Sequence, residues 1–348
     1  MSVVSGDDQG LHLLGDDCIH RWMRRRDFVA SLILASLGAG PARAQQATMP
    51  VIGYLGPETP ERSASRLIAF REGLAEAGYV DGRNVAILFR WADGQYSRLP
   101  ALAGELVANG VTLMVAPGGA EVALAAKSAA GNIPIVFELG GDPVALGLVS
   151  SLARPGGTMT GVTSLSVEVS RKRLEFMSEL LPAAKLFAIA ANPTSPTVGS
   201  QLTNLAAAAD TLGLRLHVLN ASSADAFEGI FTAARTMGAG GVVFTSDPYF
   251  AYRSARLAEL AARLAVPAIT QARDFPVAGG LMSYGGDFRQ SHRHTGIYTG
   301  RILKGEKPAD LPVQRVTKVE FFINLKAAQA LGLTVPPSLL SRADVVIE

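Results

Sequence analysis

The chain repeats one order of predicted structure twice. From Val51 onwards, short apolar runs such as VIGYLG alternate with Ala- and Leu-rich stretches of helical spacing such as RLIAFREGLAEAG. The predicted strands begin at similar spacing in the two halves, near Val51, Val85, Val111 and Ile133 and then near Leu186, Leu214, Gly241 and Val266. Strands that are apolar on both faces and separated by helices indicate a parallel sheet covered on both sides. We therefore expect an α/β protein of two lobes that share one architecture.

The region after Gly279 does not continue this repeat. It reads as a strand with a glycine turn (GGLMSYGGDF), a helix, an extended stretch (LPVQRVTKVEFFINL) and a last helix (KAAQALGL). A tail of this kind returns to both lobes, so we expect crossings between them near 161–163, 283–286 and 316–318. The predicted organisation is an N-terminal extension and signal peptide at 1–44, a first lobe at 50–160 plus 285–316, and a second lobe at 161–284 plus 317–348.

Polar residues follow three of the predicted strands: Asp142 in FELGGDP, Asn192 in IAANP and Asp247 in FTSDP. An Asp or Asn before Pro is typical of a helix start, where the side chain caps free N–H groups. Capping alone explains the pattern. The alternative is that these helix starts attract a ligand anion, or that a free carboxylate there pairs with a ligand ammonium. Ligands of open α/β sheets bind beyond the C-terminal strand ends, so we expect both lobes to face a shared cleft.

Glycines and aromatic residues lie at other predicted strand ends. The segment APGGAE precedes a helix, and its glycines allow the backbone to approach a ligand closely. Tyr54 and Tyr249 lie where predicted strands end, and an aromatic face there suits a flat or apolar ligand group. Packing in the core is the alternative for both tyrosines.

The N-terminal segment has the order of a secretory signal peptide. Arginines at 24–26 precede an uncharged run of about 15 residues from Phe28 to Ala42, which ends in ARAQQ. The run is shorter than the roughly 20 residues that span a bilayer. We expect cleavage after Ala44 and export to the periplasm, by the general or the twin-arginine route, with translation starting at Met1 or Met23.

Several chemistries are not expected of the exported chain. The single cysteine, Cys18, precedes the predicted cleavage site, so we expect no disulfide and no cysteine ligand or nucleophile. A net charge of +2 argues against nucleic acid or an anionic membrane as a partner. No nucleophile–base motif or phosphate-binding loop occurs, and His292 and His294 are spaced to face different sides of a helix. We therefore expect no enzymatic activity, no metal and no cofactor. The charged run SRKRLEF (170–176) predicts a solvated helix face.

Four segments together resemble a known family. They are FREGLAEAGYVDGRNVAILFRWADGQYSRLPALAGELV, IPIVFELGGDPVALGLVSSLARPGGTMTGVT, GGLMSYGGDF and the stretch that begins GRILKGEKPADLPVQRV. The family is that of ABC transporter substrate-binding proteins of the tryptophan/tyrosine uptake type, and the likeness covers nearly everything after Ala44. The resemblance implies a type I periplasmic-binding fold with two Rossmann-like lobes, three hinge strands and closure on the ligand.

The same resemblance implies a ligand site. In amino-acid binders of this fold the ligand carboxylate meets helix starts of the first lobe, and the ammonium meets an acid of the second lobe. The first-lobe residues at matching positions are Gly118, Gly119, Ala120, Gly140, Gly141 and Asp142. Asp247, helped by Asn192, matches the second role. APGGAE lacks the Ser or Thr that relatives often carry, and SYGGD stands where SYGPD is usual.

The expected function is that of the periplasmic solute-binding component of an ABC importer. It binds a small molecule in the interlobe cleft, with an amino acid expected and an aromatic one among the candidates. The expected partners are this ligand and the permease and ATPase subunits at the inner membrane, and we expect a monomer. The alternative is an exported sensor module that reports a bound ligand to a membrane receptor.

Overall fold

The computed structural model describes residues 49–164 and 166–348. The predicted signal peptide and its cleavage site lie outside these residues and stay predictions. Within the described ranges, no helix is both long and apolar enough to cross a membrane.

Strands and helices alternate along the described chain. In chain order the strands are β1 (Val51–Gly56), β2 (Ala86–Trp91), β3 (Leu113–Pro117), β4 (Ile135–Leu139), β5 (Met159–Ser164), β6 (Leu186–Ala191), β7 (Arg215–Asn220), β8 (Val242–Phe244), β9 (Ala268–Thr270), β10 (Met282–Gly286), β11 (Gln314–Val316), β12 (Val319–Asn324) and β13 (Val345–Ile347). The α-helices are α1 (Ala64–Glu76), α2 (Leu99–Ala108), α3 (Ala120–Ala130), α4 (Ser170–Leu180), α5 (Val198–Leu212), α6 (Ala226–Thr236), α7 (Pro248–Ala251), α8 (Ser254–Arg263), α9 (Asp274–Val277), α10 (Phe288–Leu303), α11 (Leu325–Ala330) and α12 (Pro337–Leu340).

The strands form two sheets. The first is 6-stranded, in the order β2-β1-β3-β4-β5-β11, and all its neighbours pair in parallel. The second is 7-stranded, in the order β7-β6-β8-β9-β10-β12-β13, and only the β10–β12 pair in it is antiparallel. The predicted fold class, two α/β lobes with parallel-dominated sheets, is confirmed.

The central strands are buried on both faces. Every residue of β3 and of β4 is buried. Successive side chains of a strand point to opposite faces, so Met114 packs in one apolar cluster of the first lobe and Val115 in another. Ile189 and Ala190 of β6 divide in the same way in the second lobe. This double burial is why the strands read as continuous apolar runs.

Within the described residues, the chain passes between the two lobes three times. It leaves the first sheet after Ser164, enters the first lobe again after Gly286, and leaves the first sheet a second time after Val316. β5 keeps 161–164 in the first sheet and β10 keeps 285–286 in the second, so both strands continue a few residues past the predicted lobe boundaries.

Helix α10 follows a strand of the second sheet but packs on α1 of the first lobe. Two glycines permit this close approach. A Cβ on Gly73 would collide with the carbonyl oxygen of Arg293, and a Cβ on Gly296 would collide with that of Phe70. The packing fixes the faces of both helices that point toward the interlobe region.

Helix α4 shows that the prediction of a solvated face at 170–176 is wrong. The charged run 170–176 is not a fully solvated face, because Arg173 and Phe176 are buried. Arg173 donates hydrogen bonds to the Tyr284 carbonyl (2.9 Å), the Ser246 hydroxyl (2.7 Å) and the Ser166 carbonyl (3.4 Å). Two of these partners, Tyr284 and Ser246, are distant in sequence, so the local sequence does not show that Arg173 is buried.

Candidate functional site

The C-terminal ends of strands in both sheets border one cavity of about 520 Å³, including its mouth. The first lobe contributes the loops after β3 and β4 and side chains of α1 and α10, and the second contributes the loops after β6, β8 and β9. The lining residues are Arg66, Gly118, Gly119, Ala120, Glu121, Glu138, Leu139, Gly140, Gly141, Val167, Ser195, Thr197, Ser246, Pro248, Ala251, Tyr252, Gln271, Phe288 and His292. A molecule in this cavity therefore touches both lobes.

The glycine loop after β3 forms a close approach between the lobes. Gly118 and Gly119 have φ angles of 93° and 123°, a region that side chains rarely adopt. A Cβ on Gly119 would lie 2.7 Å from Cγ of Pro248 in the second lobe, and one on Gly118 would lie 3.1 Å from the Tyr252 hydroxyl oxygen. The two glycines therefore allow the second lobe to close over the first.

The N–H groups of this loop are engaged by Glu138. The N–H groups of Gly118 and Gly119 both donate to the Glu138 carbonyl oxygen at 3.1 Å. The Gly118 N–H also lies 3.2 Å from Glu138 Oε2. The expected use of these two N–H groups, to hold a ligand carboxylate, therefore competes with hydrogen bonds inside the first lobe.

Glu138 and His292 form a buried pair on the cavity wall. Their side chains are 3% and 2% exposed, and His292 Nε2 lies 3.9 Å from Glu138 Oε2. Burial raises the pKa of the Glu138 carboxyl to about 7, although the Gly118 N–H and the Arg66 guanidinium both act to lower it. Burial lowers the pKa of His292 to about 3, and Arg66 acts in the same direction. The imidazole is therefore neutral near pH 7, while Glu138 exchanges its proton in that range.

The cavity carries charges of both signs. Burial raises the pKa of Glu121 to about 7, and the nearby Asp247 carboxylate adds to the effect. The positive charge comes from Arg66, whose guanidinium lies 4.3 Å from the centroid of the Tyr252 ring and 3.5 Å from Asp274 Oδ2. This ion pair is long, and Asp274 is half-exposed. Other N–H donors of Arg66 therefore remain available to a ligand.

Asp247 and Asn192 lie together, as the sequence places them, but each has partners inside the second lobe. Asp247 caps α7: its Oδ1 accepts the Tyr249 N–H at 2.7 Å, and its Oδ2 accepts Asn192 Nδ2 at 3.0 Å. Asn192 Oδ1 in turn accepts from the backbone and hydroxyl of Thr194. Asp247 is not among the residues that line the cavity. The contact between Asp247 and a ligand ammonium stays a prediction. Capping of α7 accounts for one carboxylate oxygen, and the Asn192 side chain is the partner of the other.

The other predicted site residues divide into two groups. Gly118, Gly119, Ala120, Gly140 and Gly141 line the cavity.

Tyr54, Asp142 and Tyr249 lie elsewhere. Tyr54 is buried under α1, where it packs against Phe70, because its side chain points to the helix-covered face of β1. Asp142 is exposed, and its Oδ1 accepts the N–H of Val144 at 2.8 Å. Tyr249 and Asn192 border an adjoining open groove of about 1270 Å³, which shares Glu121 with the cavity.

Sequence reasoning did not assign the ionisable residues of the cavity to a ligand site: Arg66, Glu121, Glu138 and His292. Glu138 had a visible signal, since it is the one acid within the apolar strand IVFEL and lies two residues before a glycine pair. Arg66 and His292 had no such signal, because each lies on a helix whose orientation depends on the packing of α1 against α10.

The chain is similar to known proteins over most of its described length. Residues 63–347 match the family model described as "ABC transporter substrate binding protein". A curated relative, the tyrosine-binding protein of Clostridioides difficile (strain R20291), is 26% identical over 266 residues, which are 76% of this chain and 75% of the relative.

Two solved structures agree with this match. The ABC domain from Streptococcus pneumonia in complex with L-Trp is 28% identical, with a TM-score of 0.78, and the match covers 86% of this chain and 100% of that one. A conserved domain protein from Vibrio cholerae is 25% identical, with a TM-score of 0.79 and the same coverage. Proteins of this kind bind a small molecule for a membrane transporter and typically act outside the cytoplasm. The resemblance seen in the sequence is thus confirmed: this chain belongs to the ABC transporter substrate-binding proteins, which bind their substrates and are not enzymes.

Proposed function

We propose that this protein is the solute-binding component of an ABC importer and that its ligand is an amino acid held in the interlobe cavity. The ligands named for its relatives, tyrosine and L-Trp, put aromatic amino acids first among those to test. The mechanism is closure of two lobes on the ligand, followed by delivery to the permease, with no covalent step.

The observation that carries this proposal is that ionisable groups of opposite charge line one cavity. Arg66 offers a guanidinium, while Glu121 and Glu138 offer carboxyl groups, and all three line the same space. Buried charges are unfavourable unless they are paired. An amino acid carries an ammonium and a carboxylate a few bonds apart, so it matches both kinds of group at once.

Closure explains how such a ligand is shielded from water. The first lobe supplies Arg66 and Glu138, and the second supplies Ser246, Tyr252 and Gln271 to the same cavity. Apart from its mouth, the cavity has room for only a few water molecules. An amino acid is larger, so it must bind to a more open arrangement of the lobes before they close.

Of the residues predicted from sequence, we propose that Gly118, Gly119, Ala120, Gly140 and Gly141 form the wall against which the ligand packs. Glycine and alanine let a ligand approach the backbone closely. We further propose that the protein acts as a monomer in the periplasm, after cleavage behind Ala44, with permease and ATPase subunits at the inner membrane. N-terminal sequencing of periplasmic protein tests the export step, and a first residue other than Gln45 would contradict the cleavage site.

The ligand is tested by a thermal-shift screen of the twenty L-amino acids followed by calorimetric titration. A ligand at 100 times its Kd stabilises the protein by about 2.7 kcal/mol. We expect at least one amino acid to bind, and binding of none would contradict the proposed ligand class. Uptake of that amino acid in labelled form should fall when the gene is deleted. Unchanged uptake would favour the sensor role instead.

A further inference from the structure

Two buried acceptor atoms on the cavity wall have no hydrogen-bond donor among the described residues. They are Oε1 of Glu138 and Nε2 of His292. Both residues line the cavity, and both are almost fully buried. A buried polar atom without a partner is unfavourable by about 1–3 kcal/mol. Two such atoms on one cavity wall point to a donor that the ligand brings.

The neutral ring of His292 acts as an acceptor toward the cavity. Its Nδ1 lies 2.8 Å from the carbonyl oxygen of Phe288. A carbonyl oxygen only accepts, so the Nδ1 atom must carry the proton, and the neutral ring then presents a lone pair at Nε2.

Glu138 has one oxygen satisfied and one without a partner. Its Oε2 accepts the Gly118 N–H at 3.2 Å, which leaves Oε1 for a ligand. His292 Nε2 lies 3.9 Å from Oε2 of the same carboxylate, so the two residues face the same part of the cavity wall. A third acceptor without a partner among the described residues, Glu121 Oε1, belongs to the same cavity.

We propose that Glu138 and His292 hold the ammonium group of the ligand, with Glu121 as the third acceptor. An ammonium has three N–H donors and a positive charge. A hydroxyl has one proton to donate and no charge to balance a buried carboxylate, so it fits these acceptors less well. This inference rests on the proposed function, since it assigns one end of the ligand to a wall of the same cavity.

The proposal reverses the polarity that the family resemblance implies. The first lobe, through Glu138, recognises the amine, while both oxygens of Asp247 in the second lobe are occupied within the protein. Arg66, on the same cavity, then faces the ligand carboxylate.

The test compares three ligands that differ at one end. Calorimetric titration uses L-tryptophan, its des-amino analogue indole-3-propionate and its decarboxylated analogue tryptamine, or the corresponding set for whichever amino acid binds best in the screen. The proteins are wild type, Glu138→Gln and the control Glu105→Gln, which makes the same change at a glutamate that is half-exposed on α2 and outside the cavity. Gln keeps the shape of Glu and an acceptor for the Gly118 N–H but loses the charge.

We expect Glu138→Gln to lower the affinity for the amino acid and for the amine by at least about tenfold, because a charge-assisted hydrogen bond is lost. The des-amino acid should bind wild type and Glu138→Gln alike, and Glu105→Gln should leave the affinity for all three ligands unchanged. If Glu138→Gln does not fold, His292→Leu takes its place. It should lower the affinity for the amino acid and the amine several-fold and leave that for the des-amino acid unchanged.

Each outcome decides one question. Equal binding of the amino acid to wild type and Glu138→Gln overturns the ammonium site and leaves the proposed function standing. Glu138-dependent binding of the amine, with no binding of any amino acid, overturns the proposed function and supports the ammonium site. If neither amino acids nor amines bind, both are overturned.

Discussion

Glu58 and Arg253 form a buried, bidentate ion pair across the two lobes. Arg253 Nη1 lies 2.6 Å from Glu58 Oε1 and its Nη2 lies 3.1 Å from Oε2. The side chains are 0% and 9% exposed, and the guanidinium stacks 3.8 Å from the centroid of the Tyr249 ring. Neither residue lines the ligand cavity. The pair therefore stabilises the closed arrangement through contacts that the ligand does not make.

Arg253→Gln should shift the protein toward an open arrangement. Closure would then bury Glu58 with only the half-exposed Arg62 as a charge partner, and removing one member of a buried pair is unfavourable by about 3–5 kcal/mol. In an open arrangement water can solvate the carboxylate. We expect a larger radius of gyration in small-angle scattering, and ligand affinity lower by at least about tenfold, which is about 1.4 kcal/mol.

The matched control is Arg62→Gln. Arg62 also contacts Glu58, at 3.3 Å, but its side chain is 46% exposed. A pair of this kind contributes about 0–1 kcal/mol, so scattering and affinity should stay near wild type. Identical scattering and affinity for Arg253→Gln and wild type would refute the role of the buried pair.

Asp247→Asn separates the two assignments of the ammonium site. If Glu138 holds the ammonium, affinity for an amino acid should change little. If Asp247 holds it, as the sequence predicts, affinity should fall at least about tenfold. Unfolding in urea should show a loss of about 1–3 kcal/mol in either case, because the new amide nitrogen meets Asn192 Nδ2 donor to donor.

Ligand affinity should rise with pH up to about 7. Glu138 and Glu121 both have pKa values raised to about 7 by burial, so below that pH they hold protons that an ammonium must displace. The charged groups that face them are Arg66 beside Glu138 and Asp247 beside Glu121, while His292 stays neutral because its pKa is lowered to about 3.

The sign follows from linkage. Binding of a cation favours the deprotonated carboxyls, so it releases protons and weakens as pH falls, by up to about tenfold per pH unit for each carboxyl that must ionise. Calorimetry from pH 5.5 to about 7.5 measures this slope. Glu138→Gln should flatten it, and a slope that is flat or reversed in wild type would contradict ionisation on binding.

Arg173→Met should destabilise the fold, because Arg173 lies near two of the crossings between the lobes. Burial lowers the pKa of this guanidinium to about 9, yet it still connects three separate segments through Ser166, Tyr284 and Ser246. Met fills the space but leaves the buried Tyr284 carbonyl and Ser246 hydroxyl with fewer partners, so we expect a loss of about 1–3 kcal/mol in urea unfolding. Arg173→Lys should recover part of it. An unchanged midpoint for Arg173→Met would show that the guanidinium contributes no net stability.

Much of the fold was visible in the sequence because its signals are local. The apolar runs of β3 and β4 and the glycines that end helices each act within a few residues. The succession of strands and helices along the chain follows from such signals. The site depends on distant contacts. Tyr54 lies near a strand end, but the alternation of β1 directs it under α1. Asp247 is a visible helix cap, but nothing in the chain near it shows that Asn192 occupies its second oxygen.

The central claim is that an amino acid lies between Arg66 and Glu138 in the interlobe cavity. A crystal structure of the protein with the amino acid selected by the screen tests it most directly. We predict a ligand carboxylate about 3 Å from the Arg66 guanidinium and a ligand ammonium about 3 Å from the Glu138 carboxylate, with both lobes in contact with the ligand. A ligand bound in the groove of Asn192 and Tyr249, or one whose ammonium contacts Asp247 instead of Glu138, would contradict it.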